Sequence, residues 1–438
     1  MHKRALLLAS LLLIIGSSLT FAAESITPTP FGVQTPSVAP ADPGAAVLMQ
    51  HNNTLGNILT DGDGRTLYLY TKDERNKSNC SGACLQAWPA LLTVEAPQAG
   101  PGVAGNRLAA ITRDDGSKQV AYNGWPLYYY ASDATPGETK GQNVGGVWFV
   151  VHAAGGGPVQ NNAPINIAKD ATFGNILVEA SGRVLYLYSR DELNKSNCSG
   201  GCLLAWPALL TVGDPKIGEG IDAKLVGSII REDGARQLTY NGWPLYYYAP
   251  DEKPGDTKGQ DVGKVWYVLH PEGGGPIFTT ATVNLSNNAA LGRFLMDHTG
   301  RTLYLYTRDE PNKSNCSGAC LQRWPALLTL NAPVAGEGVN AQLFGTIKRN
   351  DGTTQVTYNS WPLYYYAPDA KPGDTIGQNV GGVWFVLAAD GKAIGAAPAP
   401  AALPRTGDDL TGSAMGLGAV LGVLLLAGGL WIRRRVTT

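Results

Sequence analysis

Three passages of this chain repeat one another at a fixed interval. LYLYTKDERNKSNCSGACLQAWPALL, LYLYSRDELNKSNCSGGCLLAWPALL and LYLYTRDEPNKSNCSGACLQRWPALL carry their first cysteines at Cys80, Cys198 and Cys316, 118 residues apart. A period of that length marks a tandem array of a domain-sized unit. The units run over 45–155, 163–272 and 283–390, and each, at about 110 residues, is long enough to bury a core of its own. Repetition also bears on function: chemistry needs one active site, whereas a surface that binds, spaces or stiffens gains from copies.

The two ends address the chain to the outside of a cell. Residues 1–23 read as a signal peptide, with Lys3 and Arg4, an apolar run from Ala5 to Ile15 and small residues at Ala22 and Ala23. At the other end Leu403-Pro404-Arg405-Thr406-Gly407 precedes an apolar run, 410–432, and a basic tail, 433–438. The run is long enough to span a bilayer as a helix, and its arginines hold the far end in the cytoplasm. The repeats then face outward, in type I topology. This tail resembles the sorting signal of sortase-anchored wall proteins. The resemblance implies cleavage between Thr406 and Gly407 and transfer of the chain to peptidoglycan, so sortase, peptidoglycan and the membrane are the expected partners.

A Pro-rich stretch, 24–44, leads into the array, and an Ala/Pro stretch, 391–402, leads out of it, extended and semi-rigid. Gly155-Gly156-Gly157-Pro158 and Gly273-Gly274-Gly275-Pro276 close the first two units, giving three beads on a stalk. The formal charge is −1. With no basic stripe to release counterions, nucleic acid is excluded as a partner.

All six cysteines fall in register, Cys80 with Cys84, Cys198 with Cys202 and Cys316 with Cys320. In an exported chain an even count points to disulfides. Such a bridge closes a tiny loop and acts as a local staple that pinches the Asn-Lys-Ser-Asn-Cys-Ser-Gly segment. A redox-active dithiol is a rival reading, but no helix N-terminus is evident to depress a thiol. A metal site would want more ligands than the scarce histidines provide: His152 and His270 match in register, but the third unit has Ala388. No metal or cofactor is expected. Asp61-Gly62-Asp63-Gly64 reads as a turn and not a calcium loop, because its counterparts lose carboxylates.

Within each unit a string of the form Y-x-Y-x-x-D occurs twice, sixty residues apart. The six copies are Tyr68, Tyr70, Asp73; Tyr128, Tyr130, Asp133; Tyr186, Tyr188, Asp191; Tyr246, Tyr248, Asp251; Tyr304, Tyr306, Asp309; and Tyr364, Tyr366, Asp369. Each unit is therefore read as a fused pair of related halves, of which only the first carries cysteines. The two tyrosines share a strand face and the aspartate falls beyond the strand end. The favoured reading packs the rings on a core and lets the carboxylate accept turn amides. The alternative is a polar, aromatic ledge for a sugar or peptide. Nine tryptophans are also in register, Trp88, Trp206, Trp324; Trp125, Trp243, Trp361; Trp148, Trp266, Trp384, and their apolar surroundings place them in the core.

Local patterning is all-β. Thr66 to Tyr70 alternates leucine and tyrosine, Asp115-Gly116 sits between two strand-like runs as a hairpin turn, and no segment between the two ends sustains a helical period. We expect one antiparallel sandwich or barrel-like domain per unit. The paired tyrosine strings, the C-x-G-x-C and the following Trp-Pro resemble a family of bacterial secreted repeats described as predicted lipoproteins with a Y-x-[FWY]-x-x-D motif. The resemblance covers Val47 to Ala388. It implies an extracytoplasmic protein and carries no agreed activity. The chain departs from the lipoprotein pattern, since its first cysteine is Cys80, and the sorting tail stands in for a lipid anchor.

No nucleophile, base and orienting group are assembled, so no catalysis is expected. The reading is a cell-wall-anchored surface protein with a structural or adhesive role. A redox or electron-transfer accessory and a glycan-binding protein, with a surface polysaccharide or protein as ligand, are the alternatives.

Overall fold

The computed structural model describes residues 44–396. The signal segment 1–23, the sorting motif 403–407, the apolar run 410–432, the basic tail 433–438, residues 24–43 of the first stretch and residues 397–402 of the second lie outside the described residues. Among the described residues no helix is long and apolar enough to cross a membrane.

The chain is mostly short strands, in three similar units. In the first, β1 (Ala46–Asn52) and β2 (Gly56–Asp61) form a hairpin, with Asn52 opposite Gly56. Gly56 holds φ 74°, a left-handed conformation that favours glycine. Then follow β3 (Tyr68–Tyr70), the helix α1 (Ala83–Ala87) and β4 (Gln98–Ala99). The hairpin expected around Asp115-Gly116 is present as β5 (Leu108–Thr112) and β6 (Lys118–Tyr122), continued by β7 (Trp125–Pro126). Last, β8 (Trp148–Val150) pairs antiparallel with β3. The same order recurs over residues 164–268 and 282–386.

Two expectations need amendment. The sheets are not purely antiparallel, because β4 runs parallel to β1. Nor is the chain free of helix: α1, Gly201–Ala205 and Ala319–Arg323 are helices of five residues each. Five residues are too few to print a helical period on the sequence. Each is closed by a tryptophan, as where the Trp88 N–H donates to the Cys84 carbonyl at 2.9 Å.

The leucine and tyrosine alternation in β3 separates two cores. Leu67 and Leu69 join Val47, Leu59, Val120 and Tyr122 on one side. Tyr68 joins Trp88, Tyr128 and Trp148 on the other, and this second cluster continues without a break through all three units as far as Val386. Leu67, Tyr68 and Leu69 are therefore all buried, and Tyr70 is half-buried at the strand end.

The units are not beads. The glycine-rich segments read as linkers carry the chain straight into the next unit's sheet. A strand β9 (Val159–Asn161) pairs in parallel with Leu210–Val212, and Ile277–Phe278 does the same with Leu328–Thr329. Asn123 clamps the junction, its side-chain amide donating at 2.9 Å to both the Gly155 and Leu204 carbonyls. Asn241 repeats the clamp on Gly273 and Gln322, at 2.7 and 2.9 Å. The glycines serve close approach and not looseness: a Cβ on Gly155 would meet the Leu203 carbonyl oxygen at 3.0 Å. The three sequence units therefore share one compact body.

Candidate functional site

The sixty-residue echo inside each unit is a pair of halves that complete each other. Tyr68 and Tyr128 lie opposite one another, each N–H donating to the other's carbonyl, at 2.8 and 2.9 Å. Across that pair the hydroxyls exchange. Tyr68 donates to the Asp133 carboxylate at 2.6 Å and Tyr128 donates to Asp73 at 2.7 Å. The second tyrosine of each motif crosses over as well. Tyr70 stacks on Trp148 with centroids 4.3 Å apart, and Tyr130 on Trp88 at 4.4 Å. Between them the two indoles stack on each other at 3.9 Å, parallel to within 1°. The result is a column of four rings, Tyr70, Trp148, Trp88 and Tyr130.

Units two and three repeat the construction. Tyr186 and Tyr246 donate to Asp251 and Asp191, and Tyr304 and Tyr364 to Asp369 and Asp309, all at 2.7 Å. Tyr188, Trp266, Trp206 and Tyr248 stack at successive spacings of 4.3, 3.8 and 4.2 Å. Tyr306, Trp384, Trp324 and Tyr366 stack at 4.2, 3.8 and 4.3 Å.

Each aspartate also closes its own turn. Asp73 accepts the Asn79 N–H at 2.7 Å and Asp133 the Lys140 N–H at 3.0 Å. Burial nevertheless dominates their protonation. It pushes Asp73 up to about 6, Asp191 to about 7, and Asp251 and Asp369 to about 6, against the hydrogen bonds that favour the anion. Asp133 and Asp309 move the same way for the same reason. Burial raises the tyrosines too, the carboxylates adding to it.

The cysteines are paired as disulfides, Cys80 with Cys84, Cys198 with Cys202 and Cys316 with Cys320. Contrary to expectation a helix does begin here, and Cys84 lies in the first turn of α1. The loop is held mainly by an arginine that sequence reasoning missed. Arg113 donates to Ser78 Oγ at 2.7 Å and to the Cys80 carbonyl and Gln119 Oε1 at 2.5 Å. Arg231 and Arg349 make the same three contacts. Their 118-residue register was the available signal. Gly141 was also overlooked; a Cβ there would come within 2.9 Å of both the Tyr68 and Trp88 rings.

Other expected residues take structural positions. Asp61 accepts the N–H groups of Asp63 and Arg65 at 3.0 and 2.8 Å and the Tyr129 hydroxyl at 2.9 Å, so its oxygens are spent on the turn. Eight of the nine register-matched tryptophans are buried. Trp361 is half-buried, whereas Trp125 and Trp243 are approached by Arg183 and Arg301 of the following units at 5.9 and 5.1 Å. His152 Nε2 lies 2.7 Å from the Asp233 carboxylate across the first junction. Two matching grooves, of 530 and 440 Å³, open beside the junctions against Asn194 to Ser199 and Asn312 to Ser317. Tyr68, Tyr128 and their equivalents are buried, whereas Tyr70 and its equivalents, Tyr366 excepted, are half-buried.

Five segments, 51–92, 109–152, 227–270, 286–328 and 345–388, match the profile of a family described as a secreted repeat of unknown function. Over these segments the chain is similar to that repeat. Each secreted-repeat match falls within one half of a unit and contains one Y-x-Y-x-x-D string. The sixth string, at Tyr186, Tyr188 and Asp191, lies outside the matches yet makes the same crossed contacts. The family's description as secreted supports an extracellular location. No curated protein and no solved structure matches the chain.

Proposed function

We propose that this secreted-repeat protein is a wall-anchored, non-enzymatic surface protein whose three units form an unhinged spacer with a repeated outer face. The observation that carries this reading is the core that passes unbroken through all three units. A chain built to flex between domains would place solvated linkers where this one buries β9. The tyrosine hydroxyls and aspartates at the heart of each unit are hydrogen-bonded to one another, which supports a structural role for the motif. The junction grooves, lined by the same Asn-Lys-Ser-Asn-Cys-Ser loop, are where an adhesive contact with a polysaccharide or protein would repeat.

Anchoring through Leu403 to Gly407 is tested by fractionating producing cells. Digestion of peptidoglycan should release the chain carrying wall fragments, and Thr406→Ala should move it to the membrane fraction. A chain that remains in the membrane fraction with Thr406 intact contradicts sortase anchoring.

A further inference from the structure

Core packing alone asks for volume, not for alignment. Yet in all three units the two central indoles are parallel to within 3° at 3.8–3.9 Å, and a tyrosine caps each end. Five of the six capping tyrosines are half-buried, so the column has a dry centre and ends that reach solvent. Beside the column, in edge contact with its indoles, stand Tyr68 and Tyr128, centroids 5.5 Å from Trp88 and 5.1 Å from Trp148. Each of these phenols already donates its proton to a carboxylate.

Stacked indoles share a positive hole better than one indole does, and a phenol gives up an electron most readily when its proton has somewhere to go. We infer that each unit carries a one-electron oxidation site, in which the ring column takes up a hole from an oxygen-centred radical at the surface and passes it to a buried tyrosine paired with an aspartate. Carbonate radical anion serves as the oxidant. It accepts one electron from the column and leaves as carbonate. The indole radical cation then takes an electron from Tyr68 while the phenolic proton crosses to Asp133, giving a neutral tyrosyl radical and a neutral carboxylic acid. A thiolate in solution closes the cycle: it gives one electron to Tyr68 and leaves as a thiyl radical, and Asp133 returns the proton. The upward push of burial on these carboxylates suits them to hold that proton. The activity is independent of anchoring and of adhesion.

The third unit carries its own control. Arg323 stands where the first two units have Ala87 and Ala205. Its guanidinium donates to the Tyr366 hydroxyl at 2.9 Å and lies 5.5 Å from that ring, which is buried. A fixed cation opposes a second positive charge. The third column should therefore be the slowest to oxidise, and Arg323→Ala should bring it level with the others.

The test is flash generation of carbonate radical anion over the purified full chain, followed by transient absorption. The expected result is an indole radical signal that decays into a tyrosyl signal, with the decay slowed in heavy water because a proton moves. Replacing Asp133, Asp251 and Asp369, together with Asp73, Asp191 and Asp309, by Asn should slow that decay about a hundredfold, the usual effect of losing a positioned proton acceptor. Trp148→Phe, Trp266→Phe and Trp384→Phe together keep a ring in each stack and should abolish most of the early indole signal, whereas the same change at Trp125, Trp243 and Trp361 should not. Should the aspartate variants fail to fold, heavy water on the unsubstituted chain and the surface change Arg323→Ala still decide. A decay indifferent to heavy water, a signal indifferent to loss of the column indoles, or no gain from Arg323→Ala overturns the inference.

Discussion

Trp88 and Trp148, sixty residues apart in sequence, lie face to face at 3.9 Å and 1°. Each belongs to one half of a unit, and each receives the second tyrosine of the other half's motif. The motif is thus a rule for joining halves: one strand, turn and tryptophan cannot satisfy its own tyrosine or its own aspartate.

Crossed partnership predicts crossed coupling. Tyr128→Phe removes the donor to the buried Asp73 and should cost about 1–3 kcal/mol, the penalty of an unsatisfied buried acceptor. In guanidinium unfolding, a double-mutant cycle between Tyr128→Phe and Asp73→Asn should show coupling, and one between Tyr128→Phe and Asp133→Asn should be additive.

Removal of an indole from the column should be among the most damaging single changes. Trp148→Ala is expected to cost about 3–5 kcal/mol, as for large core aromatics. Trp361→Ala should cost clearly less, because Trp361 is only half-buried. Unfolding midpoints of the two variants give the comparison.

The buried aspartates predict an unusual pH profile. A carboxyl whose folded value is raised from 3.8 to about 6, as at Asp73, binds its proton more tightly in the folded chain. That contribution is fully present below about pH 4, the unfolded value, and is lost as pH rises through about 6. Asp191 extends the window to about 7. The urea midpoint should therefore rise on acidification from pH 7.5 to 5. Asp233 works the other way: burial raises it, but the His152 hydrogen bond prevails and holds it down to about 2. Its contribution fails below about pH 4, where the profile should turn down.

The disulfides should be staples of modest weight. Closing so short a loop contributes about 2 kcal/mol per bridge by chain entropy, and Arg113 grips the same loop independently. Cys80→Ser with Cys84→Ser should lower the melting temperature and leave the far-ultraviolet circular dichroism of the chain unchanged.

Much of this was legible in the residues, and the unread part has physical causes. The hairpin around Asp115-Gly116, the two-sided strand at Tyr68 and the burial of eight tryptophans follow from local pattern. The sixty-residue echo revealed two halves but not their exchange of partners, because alternation says which face a ring points to and not whose ring it meets. Arg113 was unreadable as a core residue, since a buried arginine needs acceptors, and two of its three, Ser78 and Cys80, lie 35 and 33 residues away in sequence. The glycine-rich joints misled for a related reason: glycine permits both looseness and close approach, and only the packing of Gly155 on Leu203 distinguishes them.

The most direct test of a single shared body is scanning calorimetry of the full chain. A calorimetric enthalpy close to the van't Hoff enthalpy, in one transition that moves as a whole when Asn123→Ala and Asn241→Ala loosen the junctions, is the predicted result. Three separable transitions, with Trp148→Ala shifting only one of them, would contradict it.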